Sequence, residues 1–354
     1  MAKPLPAPRA AIPFRLAFPP VSGVLRPRLV AVCLLLAALA AGAFCVGLTL
    51  GDVPVPVADV VAALTGQADG GTRFVVVELR LPRALTAVLV GVAFGVAGAM
   101  FQTMTRNPLA SPDMIGITQG ASTAVVAGIV LFQAGGAALQ VLGVAGAVAT
   151  AALIYTLGWR RGTTGYRMIL IGIGLSWICT SATDFLLAHG SRFEAQAATG
   201  WLVGNLNGRT YDHVVPLALC VALLVPAALL LGRLTRTLQL GDDVALGLGT
   251  PVQRVRLALL ATAVGLVAFG TAAAGPVAFV ALAAPQIAQR LAGTAWPPPA
   301  TSALTGALMV LAADLAARRV LPGVELPVGV VSGALGAPVL LWLLVRANRA
   351  GSGG

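Results

Sequence analysis

Long stretches of this chain carry almost no charge, and their lengths decide what it can become. Uncharged runs cover 29–51, 84–105, 114–159, 214–232, 257–289, 291–313 and 326–345, and 168–191 is interrupted only by Asp184 and His189. A helix needs about 20 apolar residues to cross the hydrocarbon core of a bilayer. The 114–159 run would measure about 69 Å as one helix, twice what a membrane accommodates. It must fold back, and Gly135-Gly136 is the natural turn. The 257–289 run is also too long for one comfortable span, and Gly275-Pro276 divides it. The expected fold is an all-α integral membrane protein with ten transmembrane helices.

Composition agrees. Of 354 residues 58% are hydrophobic and only 10% charged, against about a quarter charged in soluble domains. The net charge of +11 does not point to nucleic acid, because the basic residues are scattered between apolar runs and aromatics amount to 5%. Arginines that hold loops on the cytoplasmic side explain it better. With both termini cytoplasmic, the inner segments carry 16 of the 23 Lys and Arg residues. The expected organisation is a poorly ordered cytoplasmic tail (1–28), a ten-helix domain (29–346) and a short cytoplasmic tail (347–354). A multi-pass membrane protein with both termini cytoplasmic follows.

Several chemistries have no support. No GxxxxGK[ST] loop is present, so the chain itself is not expected to bind ATP, and GIGLSW (172–177) sits inside a span without the strand a dinucleotide site needs. Cys33, Cys45, Cys179 and Cys220 lie in apolar stretches with no CxxC spacing. His189 and His213 flank an outer loop and read as solvated residues, not a metal site. No catalytic residues, metal or directly bound cofactor are expected. Only Asp184 and Asp314 are acids within spans, thin support for a proton-coupled secondary transporter. Gly91, Gly95 and Gly98 fall on nearly one helix face, a pattern that serves close helix packing or a mobile pathway lining.

One hydrophilic segment breaks the pattern. LQLGDDVALGLGTPVQRVR (238–256) places two adjacent acids, three glycines and two arginines between spans, on the cytoplasmic side. It needs water or a partner. A helix start at Asp242 or Asp243, a turn at Gly247 or Gly249, Pro251 at a first helical position and an apolar knob at Leu246 or Leu248 are expected there.

Four stretches together resemble one family. They are LRLPRALTAVLVG (79–91), FQTMTRNPLASPDMIGITQGAS (101–122), GDDVALGLGTPVQRVR (241–256), and GPVAFVALAAPQIAQRL through ADLAARRVLPGVELPVGVVSGALGAPVLLWLL (275–344). In this order they look like the permease subunit of bacterial ABC importers for iron-siderophores, haem and cobalamin, the type II importers. The resemblance covers nearly everything after residue 29. It implies a second permease subunit along a shared interface, two cytoplasmic ATPase subunits that bind ATP-Mg, and a periplasmic or lipid-anchored substrate-binding protein. The ATPase-coupling loop would be Asp242, Asp243, Ala245, Leu246, Gly247, Leu248 and Gly249. Arg80, Arg83 and Arg318 would receive acidic residues of the binding protein; their alternatives are headgroup contact or pairing with Glu78 or Asp314. Many members have histidine where this chain has Gln286, and the ALAAPQIA variant, with GNLNGR (204–209), leans toward ferric siderophores of catecholate, enterobactin type. Cobalamin or haem is the alternative cargo. The same variant favours a heterodimer over a homodimer.

Overall fold

The computed structural model describes residues 12–16, 21–51, 53–158, 165–321 and 324–351. Ahead of the first helix, where a poorly ordered tail is expected, Ile12–Leu16 (β1) and Val21–Leu25 (β2) pair antiparallel. Among the described residues, every regular element after that is helical. The helices are α1 (Pro27–Thr49), α2 (Val57–Leu64), α3 (Gly70–Arg73), α4 (Leu81–Thr105), α5 (Ile117–Phe132), α6 (Ala137–Gly158) and α7 (Gly165–His189). There follow α8 (Arg192–Leu202), α9 (Tyr211–Leu238), α10 (Asp242–Gly247), α11 (Val252–Ala274), α12 (Val280–Ala292), α13 (Pro299–Ala317) and α14 (Val328–Gly351). A π-helical stretch, Phe74–Arg80, joins α3 to α4 without a break.

Seven of these helices are long and apolar enough to cross a membrane. Ile117–Phe132 and Val328–Val339 are shorter apolar helices, and α12 has 13 residues. The expected total of ten crossings is reached only when these three are included. Of these, α14 continues past its apolar stretch to Gly351, whereas α5 and α12 are short and each starts from a residue in the left-handed region, Gly116 and Phe279. Irregular backbone survives at membrane depth only where protein or water covers it. Here Gly116, with φ 89°, packs against Ser176 of α7, and Ile115 against Gly172. The predicted divisions fall where glycine and proline placed them. α5 ends at Phe132 and α6 begins at Ala137, and α11 ends at Ala274 ahead of Gly275.

Gly275 shows why glycine is required at that break. Its φ is 77°, and a Cβ there would meet the carbonyl of Trp201 and the Cα of Gly204. The same junction is stitched by Asn205 N donating to Ala274 O (2.8 Å), Gly329 N to Gly204 O (3.1 Å) and Ser332 Oγ to Ala278 O (3.0 Å). The ends of α8, α11 and α14 therefore form one knot of satisfied backbone.

The core is built on α4. In the span containing it 78% is buried, against 6% for α1 and 11% for α7. Its glycines make that possible: Gly91 lies against Gly306, Gly95 against Ser302 and Gly98 against Ala281, all at backbone. Lipid offers no hydrophobic drive between helices, so close backbone approach has to supply the attraction. Of the two readings of this glycine face, the structure displays packing: the three residues join α4 to α13 and α12 within the chain.

Candidate functional site

The two ends of α4 carry the chemistry. At the N-terminal end of α4 three arginines converge. Arg80 donates through Nη1 to the carbonyls of Leu48 (2.9 Å) and Thr49 (3.1 Å), and through Nη2 to that of Val53. Arg83 donates from Nε to Asp314 Oδ1 (2.9 Å) and from Nη1 to Glu325 Oε2 (2.9 Å). Arg318 pairs with the other oxygen of Asp314 and reaches the carbonyls of Gly47 (3.3 Å) and Leu50 (3.5 Å). Two guanidinium groups thus sit at the C-terminus of α1, whose last carbonyls lack intrahelical partners and whose dipole is negative there. One carboxylate, Asp314, bridges the other contacts.

This geometry corrects the simplest form of the docking expectation. Arg80 and Arg83 are buried, Arg318 keeps only 8% of its side chain exposed, and all three are already hydrogen-bonded inside the chain. Asp314 is the expected internal partner of Arg318, but the further acid is Glu325 on the loop after α13, not Glu78. Glu325 is also the one acid of the pair that water reaches, with its side chain 37% exposed against 3% for Asp314.

At its C-terminal end, α4 closes on Arg106, in the left-handed region with φ 52°. Its guanidinium contacts Asp242 (2.6 Å), and Arg256 of α11 contacts the same carboxylate (3.1 Å). The segment 238–256 forms a short helix, α10, followed by a turn at Gly249 (φ 77°) and the start of α11. The caps differ from the expected ones. Gly241, with φ 108°, is the N-cap, and Asp242 and Asp243 occupy the first turn, where the helix dipole still favours acids. Pro251 caps α11 and Val252 opens it; Gly247 ends the helix and leaves the turn to Gly249. Ala245 is fully buried, whereas Leu246 and Leu248 are 60% and 62% exposed. Thr250 Oγ1 donates to Thr237 Oγ1 (2.9 Å), closing the loop on itself. An apolar knob is therefore held out on a braced base.

Two features were not visible in the sequence. Gln286 donates to Gln102 Oε1 (2.6 Å) while Gln102 donates to Leu282 O (3.0 Å), a buried amide link between α12 and α4. Asp113 lies in the turn Pro112–Ile115, where burial pushes its carboxyl up to about 7 against a hydrogen bond with Thr118 that lowers it. Although the residue keeps some exposed surface, its carboxyl is desolvated. A folded-state value above the usual 3.8 means the folded form holds the proton more tightly. Its stability contribution is complete below about 4 and is lost as pH rises through about 7. Asp113→Asn is expected to flatten the melting temperature of the detergent-solubilised chain between pH 4 and 7; an unchanged slope would assign the desolvation no weight. Among the described residues no three His, Cys, Asp or Glu side chains gather as a metal-ligand set.

Comparison with known proteins bears on both ends. The model of the FecCD transport family matches residues 35–346. The chain is 42% identical over 322 residues to the ferric enterobactin transport system permease protein FepG of Escherichia coli (strain K12), covering 91% of this chain and 98% of that one. It is 36% identical to FepD, also a ferric enterobactin transport system permease protein of that organism, over 86% of this chain and 92% of the other. The achromobactin transport system permease protein CbrC of Dickeya dadantii (strain 3937) is 39% identical over 81% and 83%. Among solved structures, an inward-facing metal-chelate type ABC transporter superposes with a TM-score of 0.78 at 24% identity, over 90% of this chain and 99% of that one. That likeness extends to the whole arrangement of helices.

Proposed function

This chain belongs to the FecCD transport family, and from that premise we propose that it is the membrane-spanning permease subunit of an ATP-driven importer of a ferric siderophore of catecholate type. The single observation that carries the reading is the 42% identity with a ferric enterobactin permease, over 91% of this chain and 98% of that one. The cargo would be received from a binding protein outside and released to the cytoplasm, with ATP hydrolysed by separate subunits. No step of that hydrolysis falls to residues of this chain.

The residues have distinct tasks in this scheme. Leu246 and Leu248 seat in a cleft of an ATPase subunit, and the pairing of Asp242 with Arg106 and Arg256 transfers the load to α4 and α11. Docking of an acidic lobe of the binding protein at the outer cluster would proceed by exchange: Arg83 trades Glu325, its water-accessible partner, for the incoming carboxylate. The ferric enterobactin system of one organism has two different permease proteins that resemble this chain, FepG and FepD, which supports pairing with a distinct second permease. The excess of arginines in the 233–256 and 346–349 segments supports cytoplasmic termini in an inner membrane.

Uptake of radiolabelled ferric chelates by cells with and without the chain tests the proposal. Its loss is expected to abolish ferric triscatecholate uptake, at least tenfold above background, and to spare cobalamin and haem. Loss of cobalamin or haem uptake with the triscatecholate untouched would overturn the cargo. Gradient-driven uptake by the chain alone, with no ATPase, would overturn the mechanism.

A further inference from the structure

Among the described residues, Asp184 is an acid without a partner in an apolar helix. It lies about one and a half turns inside the outer end of α7. The salt bridges and side-chain hydrogen bonds of the described residues do not include it. It stands on the exposed face of α7, continuing a stripe through Leu170, Ile173, Trp177 and Ser181 at steps of three and four residues. Beside it is an open recess of about 280 Å3 whose lining includes Thr118, Gln119, Ser122, Thr180 and Thr183. The ends of α8 and α11 complete that wall.

Lipid cannot be what covers this surface. A carboxylate turned toward acyl chains is strongly disfavoured, and acids within spans face a partner or a water-filled space. The interrupted backbone around the recess carries the same requirement. The stripe divides accordingly: Leu170, Ile173 and Trp177 tolerate an apolar neighbour, while Ser181, Asp184 and the hydroxyls of the recess need water. In a protein that passes a hydrated chelate, the water at this depth belongs to the route.

We propose that Asp184 and the adjoining polar recess border the aqueous route of the cargo, and that the Asp184 carboxylate repels anionic chelates so that they do not lodge there. The identity of what passes rests on the import reading above; the exposure of Asp184 to water does not. The recess takes hydroxyl and amide groups of the chelate by hydrogen bonding, and the carboxylate lowers the residence of a net negative charge.

Two measurements on the assembled transporter in membranes decide it. Cysteine at the stripe, introduced as Asp184→Cys and separately as Ser181→Cys, is expected to react with a charged, membrane-impermeant thiosulfonate above the background of the native cysteines. Failure at both positions overturns the water-facing assignment. Asp184→Asn is expected to lower the maximal rate of ferric triscatecholate uptake about threefold at low ionic strength, because the chelate then stays longer beside the recess; threefold is the factor that one unit charge at about 6 Å exerts through water. The loss should shrink as salt is added, because salt screens the repulsion in the wild type, and Asp184→Glu should retain the wild-type rate. A rate that rises or stays level in Asp184→Asn, or a loss that salt leaves unchanged, overturns the repulsive role, because a merely structural acid would not give a salt-sensitive loss. A wild-type transporter that takes up no ferric triscatecholate would count against the import reading, and the labelling result would still decide where Asp184 faces.

Discussion

Replacing Asp314 with alanine is expected to destabilise the folded chain by about 3–5 kcal/mol, the largest loss any single polar substitution should cause here. The reason is the asymmetry between a buried pair and a buried orphan. Asp314 holds Arg83 through one oxygen and Arg318 through the other, and its side chain is 3% exposed. Without it two guanidinium groups remain enclosed against α1 and α4 with half their compensation gone. Arg318 already has a buried Nε with no hydrogen-bond partner, so it has no reserve. Glu325→Ala removes the other acid of the same cluster, but at a side chain 37% exposed. Water can replace it, and the cost should stay near 1 kcal/mol or below. Equilibrium unfolding of the two variants in matched detergent separates these outcomes. Equal losses would mean that the cluster does not lock α1, α4 and α13 together at the outer surface.

The same cluster shows where the sequence could be read and where it could not. Span lengths and the breaks at Gly135-Gly136 and Gly275-Pro276 follow from local chemistry, because glycine and proline act on their own backbone. The hydrophilic segment 238–256 was legible for a related reason: apolar helices could not absorb it. The exposed Leu246 and Leu248 knob needed only the helix period around Gly241 and Gly249. Partnership was another matter. Arg83 and Glu325 are 242 positions apart, Gln102 and Gln286 are 184 apart, and Arg106 and Asp242 are 136 apart. Nothing in either local pattern selects the other, since the fold alone brings the ends of α4 to those loops. The acids of the 241–256 segment were accordingly assigned to capping, whereas the nearest arginines claim Asp242 and leave the cap to Gly241. Sequence does not display burial, so it leaves Arg80, Arg83 and Arg318 open to a docking partner, to headgroups or to Glu78 or Asp314 alike.

Leu246→Asp with Leu248→Asp is expected to reduce ATP-driven uptake to background while the chain keeps its fold. Both side chains are more than half exposed, so polar replacements should move the unfolding free energy by no more than about 0.5 kcal/mol. At an ATPase contact the effect is of another size. Burying one leucine is worth about 1.5–3 kcal/mol, so losing two weakens the association at least about a hundredfold. Asp242→Ala provides the contrast that tests transmission. It leaves the apolar knob in place but releases α10 from Arg106 and Arg256. The ATPase should still bind and hydrolyse ATP, with fewer chelates moved per ATP. Helix α4 makes that loss understandable. Its 25 residues span about 38 Å, and with Arg80 just ahead of them, Arg83 near their start and Arg106 at the C-cap they join the outer cluster to the coupling helix through the most buried part of the molecule. In the proposed scheme a load applied at α10 therefore reaches the Arg83–Asp314 cluster through a single rigid element. If Asp242→Ala keeps wild-type stoichiometry of uptake to hydrolysis, the load travels by another path. If the double leucine variant keeps wild-type uptake, the segment is only a loop.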